Sequence, residues 1–152
     1  MDVFLGSIDT TSITLVWAMT ELIKNPRVMK KLQAEIRSFV GKNKPLVEEA
    51  VCNQNLKYLK MVFKETLRFE NEAIEFGAQN FEFLPFGSGR RICPGITMAT
   101  ISLEFVLGIL LYQFDWKLPD GMEREDLSME EEYGLYVHKK IPLCLVPIKY
   151  NW

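Results

Sequence analysis

The sequence predicts a mainly α fold with a small β component gathered at its C-terminal end. Three observations predict it. Apolar residues recur at helical spacing through four stretches. Proline and glycine stand where those stretches would start and stop. Alternation replaces the helical period only around Leu135 to Leu145. With 152 residues, 48% of them apolar and 25% charged, the chain is long enough for one globular domain with a respectable core.

The first helix covers residues 3–24, on the spacing of Phe4, Leu5, Ile8, Leu15, Val16, Met19, Leu22 and Ile23. Asn25-Pro26 ends it, because proline disfavours helical geometry in the residue before it yet suits the first turn of the next helix. That second helix, 26–40, presents Val28, Leu32, Ile36 and Phe39 on one face, and Gly41 stops it. Residues 42–54 are a polar connector. A third helix, 55–69, turns Leu56, Leu59, Val62, Phe63 and Leu67 inward. Residues 71–80 lack a period and read as loop, and 81–95 are aromatic, glycine-rich and basic. A fourth helix, 94–112, begins at Pro94 with Ile101, Phe105, Ile109 and Tyr112 on its inner side. Leu118-Pro119-Asp120-Gly121 is a turn, and Glu123 to Glu132 a solvated acidic run. Leu135, Val137, Ile141, Leu143 and Leu145 suggest a short two-stranded hairpin, with Pro142 and Pro147 confining it to a sheet edge.

Composition excludes several function classes. A net charge of −2 leaves no basic footprint for nucleic acid. Three irregularly spaced cysteines without C-x-x-C argue against a disulfide framework and a zinc site. The N-terminus has no basic head of a signal peptide, and Glu104 interrupts the longest apolar stretch, which reads as a buried helix. No membrane anchor is expected in the chain as given. His138 reads as an ordinary strand residue, and Cys52 and Cys144 as unpaired thiols.

The most informative stretch is Pro85-Phe86-Gly87-Ser88-Gly89-Arg90-Arg91-Ile92-Cys93-Pro94-Gly95. Gly87 and Gly89 let the backbone fold tightly and approach a flat partner. Pro94 places the Cys93 sulfur at a helix N-terminus, where unsatisfied N–H groups, the macrodipole and Arg91 favour the thiolate, the metal-binding form. A thiolate with no second cysteine or histidine nearby suits an axial ligand better than a four-ligand site. A phosphate-holding loop would need a Lys-Ser/Thr end, and this one closes on Cys-Pro.

Phe86, Gly89, Arg91, Cys93 and Gly95 satisfy F-x-x-G-x-R-x-C-x-G, and the stretch resembles the haem-binding signature of the cytochrome P-450 superfamily, plant microsomal type. The resemblance implies that Cys93 ligates haem iron (haem b), Arg91 pairs with a haem propionate and Phe86 shields the sulfur. Gly6-Ser7-Ile8-Asp9-Thr10-Thr11 then resembles the family's distal helix, with Asp9 and Thr10 as the acid–alcohol pair that delivers protons. Ser7 stands where the family has glycine. Glu65 and Arg68 form E-x-x-R, one helical turn apart. In the family that spacing marks a buried structural pair completed by a later arginine.

The implied fold is the C-terminal part of the cytochrome P-450 fold, residues 1–152 forming a single partial domain. The implied activity is haem-thiolate monooxygenation of a small apolar substrate, with dioxygen and with electrons from NADPH through NADPH–cytochrome P-450 reductase. The implied location is the cytosolic face of the endoplasmic reticulum membrane. The chain departs from the family in two ways: it is about a third of the usual length, and several dozen residues are missing between Arg68 and the cysteine loop. That gap leaves an alternative open, a haem-binding or partner-binding remnant without turnover.

Overall fold

The structure, a computed structural model, describes residues 2–41, 56–67 and 86–152. Four helices are described: α1 (Asp2–Lys24), α2 (Pro26–Val40), α3 (Lys57–Leu67) and α4 (Ile96–Gln113). The strands are β1 (Phe114–Lys117), β2 (Glu131–Glu132), β3 (His138–Lys139) and β4 (Val146–Lys149), with short 3-10 turns at Gly89–Arg91 and Arg124–Asp126. The expected class, mainly helical with a little sheet, is what forms. The connector 42–54, the loop 71–80, residues 81–85, Cys52 and Arg68 lie outside the described residues, as do the side chains of Phe4 and Leu5.

Each helix boundary has a local cause. Asn25 N–H closes the last turn of α1 on the Glu21 carbonyl, and Pro26 opens α2 where its missing N–H costs nothing. Gly41 ends α2 at φ +66°, a left-handed value that suits glycine, while its N–H bonds Arg37 O. The N-terminus of α3 is capped from another helix. The Glu35 carboxylate on α2 accepts from Tyr58 N–H at 2.9 Å and Leu59 N–H at 3.1 Å. Two otherwise orphaned donors are thereby satisfied by an anion at the positive end of the helix dipole.

The core lies where the four helices meet. Ala18, Met19, Leu22 and Ile23 of α1 pack with Met29, Leu32, Ile36 and Val40 of α2, Leu56 and Leu59, Leu107 and Leu111 of α4, and Leu127. Two expected faces need correction. On α2, Leu32 and Ile36 are buried and Val28 packs against the core as expected, but Phe39 is 37% exposed and Met29 and Val40 are buried, so the stripe is turned by about half a residue from the expected one. On α4 the fully buried line is Leu103, Leu107 and Leu111; of the expected face, Phe105, Ile109 and Tyr112 are half-buried against the core and Ile101 is 48% exposed. The cause is that α4 is apolar all round, so periodicity carried no information about its inner face. On α1, Ile8 and Val16 also lie outside the core.

Among the described residues, α4 is the one helix long and apolar enough to cross a membrane, but its leucine line is packed inside the bundle. Glu104 sits on that inner side, 7% exposed. Burial raises its carboxyl above the usual range, with Lys60 of α3 pulling the other way. A raised carboxyl favours the fold while protonated and disfavours it once ionised, so its contribution is lost as pH climbs through the elevated value. Glu104→Gln is therefore expected to match the parent in thermal unfolding at about pH 3 and to melt higher at about pH 7. A parent at least as stable as Glu104→Gln at neutral pH would show that Lys60 outweighs burial.

The C-terminal strands differ from the expected hairpin. β1 follows α4 without a loop and pairs antiparallel with β4, Phe114 facing Lys149 and Trp116 facing Pro147. Tyr150 N–H donates to Gln113 O across the ladder. Alternation of bonded and non-bonded pairs then leaves Pro147 at a non-bonded position, where no N–H is required. The region around Leu135 forms the tip of a second, two-residue ladder, Glu131 facing Lys139 and Glu132 facing His138. Strand pairing between β1 and β4 spans thirty-odd residues and has no local signature, which is why the adjacent segment looked like the partner. His138 is a strand residue as expected, with Nε2 3.7 Å from the Glu132 carboxylate, and Cys144 is an exposed free thiol.

Candidate haem-ligand loop

The Phe86–Gly95 loop is built by its backbone. Gly87 and Gly89 take φ +70° and +68°, values that side chains with a Cβ adopt only with strain. Between them Ser88 is extended, and Gly89–Arg91 then wind into a 3-10 turn closed by Ile92 N–H on Gly89 O at 3.3 Å. Cys93 N–H donates to Phe86 O at 2.8 Å, which draws the two ends of the loop together and fixes the cysteine backbone. The glycine requirement read from the sequence thus has a definite geometric cause.

The start of α4 needs a small correction. The helix begins at Ile96 rather than Pro94, because Gly95 acts as its N-cap with φ −90° and ψ 5°. Pro94 instead belongs to the turn through which Ile96 N–H reaches Cys93 O at 3.5 Å. Cys93 therefore stands just ahead of the helix, half-buried, and its sulfur lies against Gly95: a Cβ placed there would be 3.8 Å from Sγ. The sulfur still sits at the positive end of the α4 dipole. Arg90 and Arg91 are exposed beside it.

Five of the expected site residues, Phe86, Gly89, Arg91, Cys93 and Gly95, thus share one loop. Asp9 and Thr10 stand on α1, both exposed. No hydrogen bond or ion pair among the described residues joins either to the loop. The Thr10 hydroxyl donates to Gly6 O at 2.6 Å, one of a run of back-bonds that includes Thr11 to Ser7 O and Thr14 to Thr10 O. Such back-bonding satisfies the hydroxyl inside the helix and tends to bend it. Glu65 is exposed on α3, and its expected partner Arg68 is outside the described residues.

What sequence reasoning missed is how the far end of α4 is held. Arg37 donates to the carbonyls of Tyr112 (3.3 Å) and Phe114 (3.1 Å) and to the Asp115 carboxylate (2.9 Å), with its guanidinium over the Tyr150 ring. Gln33, one turn earlier, reaches the same Phe114 carbonyl and Asp115 carboxylate. These bonds satisfy carbonyls that the helix C-terminus leaves open. The available signal was a Gln–Arg pair at i, i+4 beside the apolar stripe of α2.

The donor chemistry fits an iron held by one protein ligand. Among the described residues no group of three or more His, Cys, Asp or Glu could cage a metal, and Cys93 stands alone at a glycine-shaped, arginine-flanked loop. Comparison with known proteins bears on the family. The sequence model of the cytochrome P-450 family matches residues 1–74 and 68–145. Cytochrome P-450 71B26 of Arabidopsis thaliana is 43% identical, aligned over 99% of this chain and 40% of its own length. Parthenolide synthase of Tanacetum parthenium is 39% identical over 99% of this chain and 40% of its own, and 4-hydroxyphenylacetaldehyde oxime monooxygenase of Sorghum bicolor 37% identical over 99% and 38%. The chain thus spans about two fifths of the length of these relatives. The alignment to the first runs over 204 positions against 152 residues, so at least 52 positions have no counterpart here. The two family matches meet at residues 68–74, which puts a break directly after α3, where the sequence implied one. Two family matches covering 1–145 and relatives similar over nearly the whole chain lead to one conclusion: the chain belongs to the cytochrome P-450 family.

Proposed function

We propose that this chain is the haem-ligating part, a single partial domain over residues 1–152, of a haem-thiolate monooxygenase acting on a small apolar organic molecule. The observation that carries the reading is the Phe86–Gly95 loop, which delivers one half-buried thiol to a helix N-terminus through two left-handed glycines. The monooxygenase name of the Sorghum relative supports the reaction class. Haem, when bound, supplies the dioxygen and electron chemistry, with Cys93 as the iron ligand that donates charge to it.

The chain's own residues then have separate tasks. Gly95 leaves room beside the sulfur, Phe86 screens it from water, and Arg91 pairs with a propionate. Thr10 and Asp9 hold and pass protons. While Thr10 donates to Gly6 O, its oxygen keeps lone pairs with which to accept from a water or from Asp9. Electrons come from NADPH through NADPH–cytochrome P-450 reductase at the cytosolic face of the endoplasmic reticulum membrane. Glu65 and Arg68 serve as a structural pair supporting the loop.

The test is reconstitution of the full 152-residue chain with haem, followed by the carbon monoxide difference spectrum of the reduced form. A thiolate-type Soret shift is expected. NADPH and reductase are then added with an apolar substrate, and product formation is followed. Haem binding without turnover would assign the chain to the haem-binding alternative, and failure to take up haem would overturn the monooxygenase reading and leave only a partner-binding remnant.

A further inference from the structure

The segment between Leu127 and Leu143 is tied into the body at both ends, since Leu127 is in the core and Leu143 packs against it. Between them several bonds tie the chain to itself. Glu131 and Glu132 pair with Lys139 and His138, Lys140 N–H reaches Glu130 O at 3.0 Å, and Lys140 Nζ bonds the Glu130 carboxylate at 2.9 Å. From 128 to 142 every side chain is exposed or half-exposed except one. That one is a lysine: Lys139 is 8% exposed. Its Nζ lies 4.8 Å from the centre of the Trp17 ring and donates to Ser128 O. Trp17, Glu21 and Lys24 stand at i, i+4 and i+7 on α1, one stripe of that helix. Lys24 binds the neighbouring carbonyl, Leu127 O, at 3.5 Å.

A buried ammonium is an unusual fastener. An apolar side chain gains from every buried ångström, whereas a cation loses its hydration and recovers it only through its partners. Here burial and Lys24 together hold the Lys139 amine below its ordinary range, with Glu21 opposing them. The ring face and the carbonyl offset that loss. The hold is thus a small difference between opposed effects, which is what a releasable contact requires.

We propose that residues 128–141 form a strap that swings as a unit, and that the Lys139 ammonium, seated between the Trp17 ring and the Ser128 carbonyl, is the pin that closes it on α1. The strap's tip carries Leu135 and Val137, 89% and 42% exposed, so pinning decides where these apolar side chains are presented.

The experiment uses the full chain labelled with 5-fluorotryptophan, which gives one fluorine resonance for each of Trp17, Trp116 and Trp152. Lys139→Ala is expected to move the Trp17 resonance to the solvent-exposed range and leave the other two in place, with helical circular dichroism unchanged. Lys139→Arg, which keeps the charge, is expected to leave all three near their original positions. An unmoved Trp17 in Lys139→Ala would overturn the proposal. So would loss of helical signal in that variant, which would make Lys139 a determinant of the fold, and so would a Lys139→Arg spectrum matching Lys139→Ala.

Discussion

Cys93→Ser is expected to remove the thiolate-type signature from the haem-reconstituted chain. The substitution is nearly isosteric, and the bond that fixes residue 93, its N–H to Phe86 O at 2.8 Å, is a backbone bond that serine keeps. The loop's two left-handed glycines and its 3-10 turn are likewise independent of the sulfur. Any loss therefore reports the ligand and not the fold. Removing outer-shell partners of a metal site already costs about 10–100-fold in affinity. Loss of Cys93, the proposed iron ligand, is expected to weaken haem uptake by more than that. Titrating haem into the parent and the variant, with reduced carbon monoxide spectra at each point, measures both effects. An unchanged spectrum would remove Cys93 from the site and with it the reading of the whole loop.

The second large effect concerns the core. Leu107→Ala is expected to destabilise the chain by about 2–5 kcal/mol, the usual range for truncating a fully buried leucine. Leu107 is 1% exposed where α4 meets the other helices, and the cavity left has little freedom to collapse. Ile101→Ala, on the outer side of the same helix, is expected to cost less than about 1 kcal/mol. Urea unfolding of both variants decides it. Comparable losses would mean that the inner face of α4 is the one its sequence suggested, with Ile101 on the inside. A cost of this size is also a large share of the about 5–15 kcal/mol that stabilises a typical domain.

How much was legible in the sequence depended on whether the cause was local. The ends of α2 could be read because Pro26 and Gly41 act within one turn of where they stand. The cysteine loop could be read because glycine φ values and the helix start are likewise local, and the error there was two residues, Pro94 against Ile96. The inner face of α4 could not be read, since a helix that is apolar all round carries no periodic signal. The β1–β4 pairing could not be read either, because Phe114–Lys117 and Val146–Lys149 find each other only after the bundle brings them together. Charged residues acting across elements were equally silent. Glu35 on the α3 terminus, Arg37 on the α4 terminus and Lys139 on Trp17 each satisfy a partner remote in sequence.

The grip of Arg37 on the end of α4 has a mechanical side. Eighteen residues at 1.5 Å each make α4 a rod of about 27 Å, anchored at Tyr112–Asp115 and carrying the cysteine at its opposite tip. Leu103, Leu107 and Leu111 brace that rod along its inner side, so the polar cluster of Gln33, Arg37 and Asp115 fixes its end while the packed leucines fix its tilt.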